Sequence, residues 1–232
     1  ITVAGGVSHE RVVELVEAEL VRIGWQSVGS VTQRRAQGPI PLDAPEARRI
    51  IKKDVAQANV LLGYQSLTAS DTDRFALGIL STVLGGGMSS RLYQEIREER
   101  GLAYSTYCYQ QGYSDAGYFG VYAGTNEENA ALVVDLMANE IAKVKSAGIS
   151  QAELELALGN ISGGLALRFE SPLARMNRLL AAEIGTGEYL SISEVMDRFR
   201  AVTLDGIIAV ANRVFESDPT LVAVGKSLKG LA

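Results

Sequence analysis

Apolar and polar positions along this chain repeat with two periods, and the switches between them mark its elements. Residues 2–5 read as a short strand. Ser8 then caps a helix whose apolar stripe is Val12, Val13, Val16, Leu20 and Ile23. After Trp25 the pattern dissolves. Residues 30–48 are polar and carry Pro39, Pro41 and Pro45, a linker composition. Residues 50–56 and 59–67 read as strands. Residues 72–84 read as a helix with Phe75, Ile79, Leu80 and Val83 inward, broken by Gly85, Gly86 and Gly87. A further helix starts at Ser89 or Ser90, runs to Glu99 and stops at Gly101. Residues 104–111 and 118–125 form two strands around a hairpin-length connection, 112–117.

The remainder is helical with clear punctuation. Asn126 caps a helix with stripe Ala130, Val133, Val134, Met137, Ile141 and Val144, closed by Lys143, Lys145 and Gly148. Ser150 with Glu153 and Ser191 with Glu194 have capping-box spacing, Ser171-Pro172 and Thr203 open two further helices, and residues 220–225 form a last strand. Paired strands mixed with grouped helices predict an α+β fold, an antiparallel sheet with helices packed on it. Residues 1–29 read as the last strand and helix of a preceding domain, 30–48 as a linker and 49–232 as the principal domain.

Composition narrows the chemistry. Of 232 residues, 47% are apolar and 21% charged, which argues against disorder. Twenty-seven acidic residues against 22 basic ones, net charge −5, speak against a nucleic-acid surface. No apolar run approaches the ~20 residues that span a bilayer. A single cysteine, Cys108, permits no internal disulfide and points to a reducing, cytoplasmic setting. His9 is the only histidine, and where His9-Glu10-Arg11-Val12-Val13 would need a second zinc-binding histidine it has Val13. A catalytic zinc takes three protein ligands, mostly His, so no metal site is expected in this chain.

Gly85-Gly86-Gly87-Met88-Ser89-Ser90 approaches a dinucleotide-binding loop, but it follows a helix instead of a strand and has Ser90 at the last glycine position. A flexible break, or a mobile loop feeding a helix N-terminus that meets substrate, are the competing readings.

Residues 84–104 read Leu-Gly-Gly-Gly-Met-Ser-Ser-Arg-Leu-Tyr-Gln-Glu-Ile-Arg-Glu-Glu-Arg-Gly-Leu-Ala-Tyr. This run resembles the second homologous half of the inverzincin metallopeptidases, the pitrilysin/insulinase family, and most of all its bacterial branch similar to the mitochondrial processing peptidase. The resemblance is specific over residues 75–125. It implies that Arg97 and Tyr104 are active-site residues. Tyr104 would donate to the oxyanion, and Arg97 would hold a substrate backbone carbonyl. It also implies that zinc is bound by an N-terminal half carrying an inverted His-x-x-Glu-His, absent here. Gly85, Gly86 and Gly87 would form a hinge loop at a peptide substrate. The implied partners are the peptide, that zinc-binding half, and a second copy or homologue in a homo- or heterodimer. The resemblance equally admits a non-catalytic partner or structural subunit.

Physical chemistry makes the catalytic role reasonable. Tyr104 lies three residues beyond Gly101, roughly 10 Å of extended chain, so it and Arg97 can face one cleft. A guanidinium is a fixed fork of donors for carbonyls, and a phenol is a neutral donor for an oxyanion.

Overall fold

The computed structural model describes residues 1–26, 29 and 47–231. In chain order it contains α1 (His9–Arg22), β1 (Arg48–Lys52), β2 (Ala58–Gln65), α2 (Arg74–Gly85), a π-helical turn (Tyr93–Glu98), β3 (Ala103–Gly112) and β4 (Gly117–Thr125). A short 3₁₀ turn (Glu127–Asn129) leads into α3 (Ala130–Ala147), followed by α4 (Gln151–Arg168), α5 (Pro172–Gly185), α6 (Ile192–Arg200), α7 (Leu204–Val214) and β5 (Thr220–Gly225).

Helix starts follow the capping residues. Ser8, Ser150, Ser171, Ser191 and Thr203 each accept a backbone N–H from the first turn they open, and both capping boxes are complete. Asn126 differs: its side chain caps nothing, and the 3₁₀ turn separates it from α3.

The five strands lie in the order β1-β5-β2-β4-β3. The β5–β2, β2–β4 and β4–β3 pairs are antiparallel, as expected, whereas β1 and β5 run parallel. The sheet is therefore mixed at one edge. Alternation in β2 sends Ala58, Val60, Leu62 and Tyr64 inward, where they meet Phe119, Val121 and Ala123 of β4 in one core. Helices α2 and α3 cover that face, and α7 packs against both. Phe215, just past α7, sets its ring edge-on to Tyr64 at 4.8 Å and to Phe119 at 5.3 Å, pinning the helix layer to the sheet.

Among the described residues, none completes a ladder with residues 2–5, and no strand forms there. In α1, Val12, Val16 and Leu20 are half-buried, Val13 and Ile23 are exposed, and no residue is buried. Most of the linker expected over residues 30–48 falls outside the described residues, and Arg48 already belongs to β1. Among the described residues, no helix is long and apolar enough to cross a membrane.

Candidate functional site

Two local irregularities, one on each side of Gly101, build the site. Residues 91–92 begin as α-helix, and the backbone then widens: the N–H of Glu99 reaches back five residues to the Gln94 carbonyl at 2.9 Å. Leu92 and Ile96 are fully buried and anchor this turn on the core. Tyr93 and Arg97, four residues apart, share another of its faces. Gly101 then reverses the chain with φ +63°, a left-handed conformation that suits glycine. The Gly101 and Leu102 N–H groups bond the Arg97 and Ile96 carbonyls at 3.0 and 2.9 Å.

The second irregularity is a β-bulge. Ala103 pairs with Thr125 and Ser105 with Gly124, so Tyr104 is the extra residue in β3. Tyr104 is 70% exposed. Arg97 Nη1 donates to the Tyr104 backbone carbonyl at 2.9 Å. The guanidinium carbon lies 4.7 Å from the Tyr104 ring centroid and 4.8 Å from that of Tyr93. The cation thus lies within cation–π range of two aromatic rings. Glu98 stands 3.9 Å from Arg97 Nε, too far for a hydrogen bond. Tyr104 Oη makes no hydrogen bond among the described residues.

Arg91 ties this turn to the helix layer. It grips Glu153 at 2.6 and 2.9 Å and donates to the Gly148 carbonyl at 3.1 Å. That fork, joined by the Ser150 cap, holds the Glu153 carboxyl down at about 2 against a smaller desolvation effect. On the same turn, Arg100 lowers the Glu95 carboxyl by hydrogen bonding.

The glycine triplet is not uniform. Gly85 is buried at the end of α2, where an added Cβ would lie 2.3 Å from Cys108 N and 2.8 Å from Tyr107 C. There it serves close helix–strand packing. Gly86 and Gly87 are exposed, and Gly87 has φ +155°. Ser90 Oγ donates to the Gly87 carbonyl and Gln94 Nε2 to the Met88 carbonyl, both at 2.6 Å. Gln94 therefore couples the loop to the turn that carries Arg97.

Sequence reasoning gave no role to Tyr93 or Gln94. The signal for Tyr93 was present: an aromatic four residues before an arginine in a helical segment. Among the described residues, no group of three or more His, Cys, Asp or Glu side chains could hold a metal ion. His9 lies exposed on α1, and burial pushes the Cys108 thiol up.

Residues 1–160 match the family described as "Peptidase M16 inactive domain". A Streptomyces coelicolor protein named as an uncharacterized zinc protease is 38% identical over 235 residues, covering 97% of this chain and 49% of the relative. A Helicobacter pylori protease structure superposes with TM-score 0.79 at 23% identity, over 95% of this chain and 53% of that one. A chain of the Candida albicans Complex III2 structure has the same fold, with TM-score 0.79 at 14% identity over 98% of this chain and 55% of its own. The chain spans about half the length of the curated relatives it matches. With a family match over more than half its length and a relative 38% identical across nearly all of it, this chain belongs to the peptidase M16 inactive-domain family.

Proposed function

We propose that this chain is the C-terminal half of a zinc-dependent endopeptidase, and that Arg97 and Tyr104 complete an active site whose zinc is held by an N-terminal half. One observation carries the reading: a guanidinium within cation–π range of Tyr93 and of Tyr104, the latter a phenol that a bulge turns out to solvent. Neither residue supports the core. Tyr104 is mostly exposed, and its hydroxyl is left for an external acceptor. An oxyanion developing at a scissile carbonyl is such an acceptor, and a neutral donor placed there stabilises the transition state more than the ground state. Arg97 spends one N–H on the Tyr104 carbonyl and retains others for a backbone carbonyl of an extended peptide. Zinc chemistry belongs to the other half, and none of it is assigned to residues of this chain. The expected setting is the cytoplasm, and the expected assembly is a homo- or heterodimer.

The test is Tyr104→Phe in the full-length protein with a fluorogenic peptide. The ring and its contact with Arg97 stay, so folding should be unchanged. Loss of the hydroxyl should lower kcat by about 10²–10³-fold with little change in KM. Arg97→Lys keeps the charge, loses the planar fork, and should raise KM as well. Tyr107→Phe, whose ring packs on Tyr122 at 4.7 Å, is the silent control. Wild-type kcat in Tyr104→Phe with a normal melt would favour a second reading, a non-catalytic partner subunit. The fold shared with a chain of a multisubunit complex supports that alternative.

A further inference from the structure

We infer that Tyr93 is a positioning residue, a second ring that holds the Arg97 guanidinium in place beside Tyr104. The inference rests on the active-site reading only for its kinetic consequence; the geometry stands without it. Arg97 has two ring neighbours, and only one of them, Tyr104, belongs to the pair that would meet substrate. A long arginine side chain one-third exposed has many rotamers open to it, and fixing one costs conformational entropy. The Nη1 bond to the Tyr104 carbonyl fixes a single point and leaves the guanidinium plane free to swing about it. A second flat face at 4.8 Å removes that freedom.

Tyr93 can supply this face because its own backbone is immobilised. It lies in the π-turn between Leu92 and Ile96, both fully buried, and Arg91 clamps the start of the segment to Glu153 and Gly148. Among the described residues, the carboxylate that pairs with Arg97, Glu98, stops at 3.9 Å, so no carboxylate fork performs the task instead. The Tyr93 hydroxyl makes no hydrogen bond among the described residues, so its ring is the working part.

The experiment compares Tyr93→Phe, Tyr93→Leu and Tyr93→Met in the full-length protein, by crystal structure, thermal melt and peptide kinetics. Phe keeps the ring, so Arg97 should stay on the Tyr104 carbonyl and turnover should remain close to the parent. Leu and Met remove the ring but fill its volume. In those variants the Arg97–Tyr104 bond should be lost, and kcat should fall about 3- to 30-fold, the factor a cation–π contact is worth. If one truncation fails to fold, the other is read. Arg97 still bonded to the Tyr104 carbonyl after truncation overturns the inference, as does a Phe variant that behaves like the truncations. If truncation displaces Arg97 but Tyr104→Phe leaves turnover intact, the positioning role stands and the active-site reading falls.

Discussion

Gly85→Ala should destabilise this chain, although the same change in an ordinary helix stabilises. Gly85 is the last residue of α2, and replacing a helical glycine by alanine gains up to about 1 kcal/mol. The new methyl would sit 2.3 Å from Cys108 N, 2.7 Å from Cys108 Sγ and 2.8 Å from Tyr107 C. Ordinary contacts are ~3.5–4.0 Å, so α2 and β3 must part by roughly 1 Å. The obstacle is mostly strand backbone, which cannot rotate away as a side-chain tip can. Moving α2 also disturbs Leu80 and Leu84, both fully buried beside it. Overpacking of this kind costs about 1–3 kcal/mol, which against the helix-propensity gain leaves a net loss of up to about 2 kcal/mol. In a chain of this length that lowers Tm by up to about 8 °C. Urea and thermal unfolding followed by circular dichroism measure it. Gly164→Ala in α4, where nothing lies within 4 Å of the added Cβ, is the internal comparison and should raise Tm by a few degrees, about 2–4 °C. A Gly85→Ala chain as stable as its parent would refute the packing argument and return Gly85 to the hinge.

Two further predictions concern protonation and local opening. The Glu153 carboxyl is held at about 2 in the folded chain, below its ordinary 4.5, so its stabilisation is complete above pH ~4.5 and lost as pH falls toward 2. Because the group is partly exposed, the effect is discounted to about 1–2 kcal/mol. Glu153→Gln should remove that segment of the pH dependence, and a parent–variant gap in urea stability that is equal at pH 7 and pH 2.5 would contradict it. In hydrogen exchange, the Gly87 and Met88 amides should exchange faster than those of Leu84 and Gly85, because only the latter lie in α2; equal protection would mean the exposed loop opens only with the helix.

The helices and most strands were legible because their signals are local. Ser150 with Glu153, and Ser191 with Glu194, announce helix starts through contacts three residues apart. Strand alternation identified β2 through β5 without reference to partners. The parallel β1–β5 pairing was not legible: it joins residues 48–52 to 221–225, and nothing within either segment specifies direction. The stripe of α1 states which side wants covering but not what covers it, and within this chain that side stays at best half-buried. Arg97 and Tyr104 were nominated by resemblance to a motif, whereas Tyr93 was visible only as a spacing and gained a role from a ring distance.

The π-turn escaped sequence reading because Leu92 and Ile96, four apart, satisfy an α-helical stripe equally well, and only the reach of the Glu99 amide shows the extra residue. The bulge did leave a trace. Thr106, Cys108 and Gln110 pair with the core-facing residues Ala123, Val121 and Phe119, while strict alternation would put Ala103 with Ser105, Tyr107 and Tyr109 on the opposite side. Ala103 is nevertheless buried, so the period slips by one between Ala103 and Ser105. Without that slip, Tyr104 would share a face with Thr106 and point beneath the helices, because a one-residue shift in register exchanges the two faces. One inserted residue in the turn and one in the strand therefore act on the same pair. The first lies in the turn that presents Arg97, the second turns Tyr104 outward, and Gly101 between them closes the distance to a single hydrogen bond.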